Sequence, residues 1–363
     1  MSRSEEGLRG ALESYVEPYL QQTLAEAGAI RSLQLQGEVA TVRLELGFPA
    51  AGYAHALQAA LQRHLNESGV GVALSVELSS RIVPHAVQRH LKPLAGVKNI
   101  VAVASGKGGV GKSTVAVNLA LAWVAGGAQV GILDADIYGP SQPLMLGLTG
   151  QRPTSADGKH LAPLQAHGLK AMSIGFLVEP EQAVVWRGPM VTQALTQLLT
   201  DTHWGELDYL VVDMPPGTGD IQLTLAQRVP VAGAVIVTTP QDIALADARK
   251  GLAMFEKVSV PVLGIIENMS VYVCPHCGHA EHLFGAGGGA RLATQNGVEL
   301  LGELPLDPRV REQTDHGRPT VAAEPDSERT RCYIEAARRT AAALARRTRD
   351  RSALFPKIVV EDT

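Results

Sequence analysis

Cysteine is scarce in this chain: Cys274, Cys277 and Cys332 are the only three among 363 residues. So few exclude a disulfide framework and favour thiolates kept in a reducing compartment. Neither sign of charge prevails, and a formal net charge of −4 gives no overall pull toward nucleic acid or anionic lipid. Long apolar runs are missing too. No stretch approaches the roughly 20 uninterrupted apolar residues that span a bilayer, and Met1-Ser2-Arg3-Ser4-Glu5-Glu6 lacks the apolar core of a signal peptide. The expectation is a cytoplasmic protein with neither a membrane nor a nucleic acid as partner.

What is present is a foldable chain. Hydrophobic residues make up 45% and charged ones 19%, enough to bury a sizeable core, and the length suggests two domains. The first part reads as a small α+β domain over 1–83. Leu8, Leu12 and Val16 share a helical face that Pro18 interrupts, and Val42, Leu44 and Leu46 alternate as a half-buried strand. Leu57, Leu61 and Leu65 mark a second helix, and Val70, Val72, Leu74, Val76 and Leu78 alternate as a further strand. A proline-containing linker is expected over 84–96, a larger domain over 97–351 and a tail over 352–363.

From Asn99 the texture changes. Short apolar runs without alternation recur at Ile100–Ala104, Val130–Leu133, Leu210–Val212, Ala234–Val237 and Val262–Ile266, each followed by a polar or glycine-rich turn. Strands buried on both faces read this way, so the fold class is α/β, a doubly wound and mainly parallel sheet. Ligands of such sheets bind at the carboxyl ends of the strands, where the motifs of this chain fall.

The first run ends in Ser105-Gly106-Lys107-Gly108-Gly109-Val110-Gly111-Lys112-Ser113-Thr114. Gly106, Gly108 and Gly111 alone satisfy the dinucleotide pattern G-x-G-x-x-G. Gly106, four residues, then Gly111-Lys112-Ser113 complete the phosphate loop G-x-x-x-x-G-K-[ST], which a nicotinamide site does not need. The glycines let backbone N–H groups wrap phosphate at a helix N-terminus. Lys112 supplies charge to the terminal phosphates of ATP, and Ser113 offers a hydroxyl to magnesium.

Carboxylates follow two of the predicted strands. Asp213 closes Leu210-Val211-Val212, as a magnesium-holding acid must, and the Met214–Asp220 run after it carries the stiff Pro215-Pro216-Gly217 of a switch loop. In Asp134-Ala135-Asp136, Asp134 lies nearer the strand and suits the magnesium shell, whereas Asp136 is placed to orient the attacking water; both residue types also cap helices. Asn268 has the amide needed to read adenine's edge, or to close a turn.

Cys274-Pro275-His276-Cys277 supplies two ligands where zinc or an iron–sulfur cluster wants four. A local zinc knuckle recruiting His279 or His282, a dithiol redox centre, and a metal centre shared by two subunits are the competing readings.

Together these residues make the chain resemble the Mrp/ApbC family of iron–sulfur cluster carriers, in the superclass of MinD. The likeness runs from about Ala95 to Thr320 and includes SGKGGVGKST, DADIYGPS, VWRGPM (185–190), LDYLVVDMPPGTGDIQLT, VTTPQDIALADARKG, ENMSVYVCPHCG and FGAGGG. Lys107, a second lysine opening the loop, resembles that of deviant Walker A proteins, where it reaches across a dimer to the partner's nucleotide. The N-terminal part is similar to a metal–sulfur-assembly domain, with Glu17 where aspartate is usual. The resemblance implies a homodimer that holds a 4Fe-4S cluster between paired Cys274 and Cys277 and passes it to apo iron–sulfur proteins, governed by ATP, magnesium and slow hydrolysis. Lys107, Lys112 and Asp136 would be its catalytic residues.

Eight arginines between Arg329 and Arg351 lie on an alanine-rich helical segment whose apolar face looks thin, so a solvated helix packed on the domain is expected, with Cys332 as packing. Two rival functions stay open: a MinD/ParA-like positioning ATPase acting on membrane or DNA, and a zinc-bound regulatory nucleotide-binding module.

Overall fold

The computed structural model describes residues 3–155, 157–177 and 188–349. Val185, Trp186 and Arg187 of the VWRGPM element, Arg351 and the tail 352–363 lie outside the described residues.

The N-terminal unit runs α1 (Arg3–Ser14), β1 (Val16–Glu17), β2 (Gln22–Thr23), β3 (Ile30–Gln36), β4 (Val39–Leu46), α2 (Ala54–Glu67) and β5 (Ala73–Ser80). Apart from the small β1–β2 ribbon, this is the expected order of helix, two strands, helix, strand. β4 lies between β3 (antiparallel) and β5 (parallel), and its alternation buries Val42, Leu44 and Leu46 against Leu57, Leu61 and Leu65 of α2. Two boundaries differ from the sequence reading. α1 stops at Ser14, before Pro18 could interrupt it, because Val16 and Glu17 pair with Thr23 and Gln22 in a ribbon. Period-two geometry then turns Val16 outward, 55% exposed, and Glu17 inward. β5 begins at Ala73 rather than Val70, since Val70 N–H bonds back to Leu65 O to close α2.

The larger unit centres on eight strands in the order β15-β12-β11-β6-β10-β7-β9-β8. These are β6 (Val97–Ala104), β7 (Val130–Asp134), β8 (Leu164–Ala166), β9 (Leu169–Ser173), β10 (Leu207–Asp213), β11 (Gly233–Thr238), β12 (Val262–Glu267) and β15 (Glu299–Glu303). All pairings are parallel except the edge pair β8–β9. Each of the five apolar runs is one of the central strands, buried on both faces as an interior parallel strand must be. Helices α3 (Lys112–Ala125), α4 (Gln142–Met145), α5 (Gly188–Asp201), α6 (Asp220–Arg228), α7 (Asp242–Lys257), α8 (Gly288–Asn296), α9 (Pro308–Asp315), α10 (Thr320–Ala323) and α11 (Glu328–Ala345) connect and cover them. The hairpin β13 (Tyr272–Val273) and β14 (Ala280–Glu281) follows β12.

α11 packs on the domain as expected, but its buried face is broader than the thin apolar face read from the sequence. Tyr333, Ala336, Ala337, Ala341, Ala342 and Leu344 are buried between α3 and β15. Alanine is what lets the helix approach so closely: Gly302 of β15 has room for no more than a hydrogen facing Ala336. Arg331 and Arg339 occupy the outer face, and Arg347 and Arg349, beyond the end of the helix, are exposed. Trp123 of α3 donates its ring N–H to Ala337 O at 2.8 Å and stacks on Tyr209.

The segment 84–96 has little regular structure, yet it is seated rather than loose. His85 is buried against Asn99, and Gln88 Nε2 donates to Ala226 O at 2.8 Å. Across the junction of the two units, Tyr19 O–H donates to Glu335 at 2.6 Å, while Arg346 reaches both Tyr19 O and Glu299. No helix among the described residues is long and apolar enough to cross a membrane.

Candidate functional site

β6 delivers the chain into the loop 105–111, and α3 begins at Lys112, so the N-terminal N–H groups of α3 open onto the loop's concave side. Gly109 and Gly111 take φ of 81° and 80°, the left-handed region that favours glycine. A side chain at Gly106 would overlap the backbone of Asp247 in α7, and one at Gly111 would strike the Asn268 amide. Glycine is therefore demanded here by close approach as well as by conformation. Ser105 Oγ donates to Lys107 O at 2.8 Å and braces the loop from inside. Lys107 itself is half-buried, and Gly108 and Gly109 are exposed at the rim.

Beneath the loop lies a compact polar cluster. Lys112 Nζ pairs with Asp213 Oδ1 and sits 3.0 Å from Ser113 Oγ; the lysine is 6% exposed and the aspartate fully buried. A pair this deep persists only where its remaining hydrogen-bonding capacity is met. Gln142 Nε2 donates to Asp213 Oδ2 at 2.9 Å and to Ser113 O at 3.2 Å. Asp134, also fully buried, accepts from the N–H of Gln142 and the hydroxyl of Ser173, each at 3.1 Å, and from the N–H of Asp136 at 3.2 Å. Burial, and then the neighbouring charge of Asp213, holds the Asp134 carboxyl well above the ordinary aspartate range.

Asp136 stands at the half-buried edge of this cluster, its Oδ1 accepting from Gly139 N–H at 3.2 Å. The loop after Asp213 is tied to the phosphate loop at one point, Gly217 N–H to Ser105 O at 3.0 Å, with Gly217 at φ 98°. The structure thus brings Lys112, Ser113, Asp134 and Asp213 into one cluster, with Asp136 at its border. Ser113, Asp134 and Asp213 present hard oxygen atoms of the kind magnesium takes. The chain also recruits two residues that motif reading missed, Gln142 and Ser173. Ser173 ends β9, whose apolar run is broken by Lys170, and Gln142 is a lone amide after a Gly-Pro-Ser turn.

Asn268 leaves β12 next to this cluster. Its Nδ2 donates to Val110 O at 2.9 Å, so the amide holds the phosphate loop and leaves Oδ1 as the atom able to accept from a base. Met269 follows in the left-handed region (φ 57°), and the chain then enters the β13–β14 hairpin.

The hairpin carries the cysteine pair. Cys274 N–H bonds His279 O and Gly278 N–H bonds Cys274 O, both at 2.9 Å, and Gly278 turns the chain at φ 71°. Cys277 is exposed and Cys274 partly so. The backbone N–H groups of Cys277 and His276 face the Cys274 sulfur and hold its thiol below the usual range. His282 does not join them: its Nδ1 donates to Ser270 O at 2.7 Å and closes the base of the hairpin. Among the described residues no three His, Cys, Asp or Glu side chains gather as a metal site. Cys332 lies apart on α11, on the wall of a cavity of about 710 Å³ between that helix and the hairpin, and burial pushes its thiol up.

Comparison with known proteins follows the same division of the chain. Residues 96–341 match the family described as NUBPL iron-transfer P-loop NTPase, and residues 5–77 match the family described as iron-sulfur cluster assembly protein. The iron-sulfur cluster carrier protein of Pseudomonas fragi is 62% identical over 273 residues, covering 75% of this chain and 95% of that one. The protein of the same description from Escherichia coli K12 is 52% identical over 347 residues, 94% of each chain. Among solved structures, a nucleotide-binding protein of Archaeoglobus fulgidus in complex with ADP, with cobalt found in it, superposes with a TM-score of 0.56 at 41% identity, covering 61% of this chain and 88% of that one.

Proposed function

Because the chain belongs to the NUBPL iron-transfer P-loop NTPase family, we propose that it is a cytoplasmic iron–sulfur cluster carrier, working as a homodimer that binds and hydrolyses ATP. Its cargo, a 4Fe-4S cluster, is held by Cys274 and Cys277 of both subunits and handed to apo iron–sulfur proteins. The observation that carries this reading is the hairpin itself: two thiols, one of them pre-set toward thiolate by backbone N–H groups, which no third His, Cys, Asp or Glu joins in a metal-binding group among the described residues. Half a ligand set is completed by symmetry when a second copy supplies the other half.

The surface supports the same pairing. Among the described residues Tyr138, Leu144, Leu177, Met190, Ile243, Val273 and Leu283 are large apolar side chains left exposed, and all belong to segments at the carboxyl end of the sheet, around the phosphate loop and the hairpin. The other two such side chains among the described residues, Val16 and Val39, lie in the N-terminal unit. Apolar surface concentrated on one face marks an interface. Closing two such faces would carry Lys107 toward the partner's nucleotide.

Within each subunit the phosphate loop and the N-terminus of α3 would bind the triphosphate. Lys112 would exchange Asp213 for the terminal phosphates, freeing that carboxylate. Ser113, Asp213 and Asp134 would hold magnesium, which when bound neutralises charge on the phosphates. Asp136, at the border, would orient the attacking water. Asn268 Oδ1 would accept from the 6-amino group of adenine, a donor that guanine does not present there. ADP in the Archaeoglobus fulgidus relative supports an adenine nucleotide.

Anaerobic reconstitution with iron and sulfide tests the proposal, read by visible absorption, iron content and light scattering. One cluster per two chains is expected, abolished by Cys274→Ala or Cys277→Ala and retained by Cys332→Ala. A protein that stays monomeric with metal and nucleotide, or that holds one tight zinc per chain, would overturn the shared-cluster reading.

A further inference from the structure

Gln142 is wholly buried at the first residue of α4 and belongs to none of the motifs by which the nucleotide site was read. Three of its hydrogen-bonding groups are accounted for by the site. The backbone N–H serves Asp134 Oδ2, and Nε2 serves both Asp213 Oδ2 and Ser113 O. Its Oε1 is buried and has no hydrogen-bond partner. Leaving a buried acceptor unmatched is unfavourable, and such atoms in a folded protein call for an explanation.

Chemistry and place supply one. The amide is bonded to the main chain of Ser113 and to the carboxylate of Asp213, two residues assigned to the magnesium shell above. An amide oxygen here cannot be satisfied by those carboxylates, which only accept, and Lys112 is already engaged with Asp213 and Ser113. A donor that arrives with the ligand would match it, and a hydrated metal ion brings strong donors in its bound waters.

We infer that Gln142 is a positioning residue for the nucleotide's magnesium ion, holding Asp213 through Nε2 and accepting through Oε1 from a water of the ion. The inference rests on the nucleotide-site reading of Proposed function and adds a residue to it. Gln142 contacts neither phosphate nor the reacting atoms in this assignment. Both ends of the amide are required: glutamate would lose the donor facing Asp213, and methionine would lose donor and acceptor while keeping the volume. Such outer partners of a metal site are worth roughly 10–100-fold in metal affinity.

The test compares ADP binding to the full-length protein, by calorimetry, in excess magnesium and in EDTA, and repeats it with manganese followed by electron paramagnetic resonance. For Gln142→Met, affinity in EDTA is expected to stay within about twofold of wild type. The gain on adding magnesium is expected to shrink by roughly 10-fold or more, and manganese affinity of the ADP complex to fall by a similar factor. A full magnesium gain in the variant overturns the inference. So does an equal loss with and without metal, because Gln142 would then merely shape the loop. If Gln142→Met does not fold, Gln142→Asn keeps both amide atoms on a shorter arm; it should lose part of the gain, and an unchanged gain overturns the inference as well. Wild-type protein that binds no ADP under either condition overturns the nucleotide-site reading along with it, whereas a fully magnesium-responsive Gln142→Met overturns this inference alone.

Discussion

The two units of this chain each bury carboxylates, and they treat them differently. In the N-terminal unit Glu17 is fully buried, and both its oxygens are matched: Oε1 accepts from the Tyr53 hydroxyl at 2.8 Å and Oε2 from Leu20 N–H at 2.7 Å. In the larger unit Asp134 and Asp213 are equally buried, but they share Lys112, crowd one another and have the unmatched Gln142 Oε1 beside them. A buried charge with every partner supplied by its own fold is architecture. Buried charges that repel each other and leave an acceptor unmatched are held ready for something that binds. By this criterion the nucleotide chemistry belongs to the larger unit, and Glu17 organises the turn between α1 and β3.

The largest effects that could break this division come from the two lysines of the phosphate loop. Lys112→Ala should lose nucleotide-dependent turnover while the hairpin still loads its cluster, because the cysteines take no support from that side chain. Lys107→Ala is expected to bind nucleotide normally and to lower ATP turnover by roughly 10³-fold, the scale of a charge supplied across an interface to a transferring phosphoryl group. Steady-state phosphate release measures both. Wild-type turnover in Lys107→Ala would show that its half-buried ammonium takes no part in hydrolysis, and the role across the interface would fall.

A smaller effect sharpens the contrast from the other side. Tyr53→Phe removes one donor from Glu17 and leaves Oε1 buried without a partner, which should destabilise the protein by about 1–3 kcal/mol. Urea unfolding would read it, followed by a probe in the N-terminal unit. ATP turnover of the folded variant should not change. A parallel loss of turnover would mean that the two units are coupled through their junction, where Tyr19 meets Glu335 and Arg346, Arg338 lies over the Tyr53 ring and Ala51 N–H bonds Gly126 O.

How far these sites were legible in the sequence depends on whether their signal is local. Lys112, Ser113 and Asp213 were legible because each belongs to a motif whose spacing is set by one strand end and one helix start. The five apolar runs gave the central strands for the same reason, since burial on both faces leaves an unbroken apolar stretch. The breadth of the buried face of α11 was misjudged because alanine carries little hydrophobic signal, and its burial follows from close approach to β15 and α3 rather than from bulk. Val16 was placed on a helical face because a period of four and the start of a two-residue ribbon look alike over one turn. Gln142 and Ser173 could not be read at all. Their roles arise where β7, β9, β10 and α4 converge, a contact made by the topology of the sheet.

The last and smallest effect concerns protons on Glu17. Burial raises its carboxyl pKa above the ordinary value, and the bonds from Leu20 and Tyr53 offset this only in part. Below the ordinary glutamate value both folded and unfolded chains hold the proton, and Glu17 contributes no pH dependence. As pH rises past that value the unfolded chain releases its proton while the folded one keeps it, so the unfolded state gains and stability falls until the raised folded value is passed. One proton of difference gives a slope of at most about 1.4 kcal/mol per pH unit. Glu17→Gln removes the titration; its amide can set the oxygen on Leu20 N–H and the NH2 on the Tyr53 hydroxyl, and any remaining penalty does not vary with pH. The stability difference between wild type and Glu17→Gln, measured by urea midpoints from acid to neutral pH, should therefore shift against the wild type as pH increases and then level off. A difference that is flat across the range would mean that Glu17 is ionised in the folded protein as readily as in the unfolded chain. The matched carboxylate would then be carrying its charge without cost, and the line drawn between the two units would have to rest on the unmatched Gln142 oxygen alone.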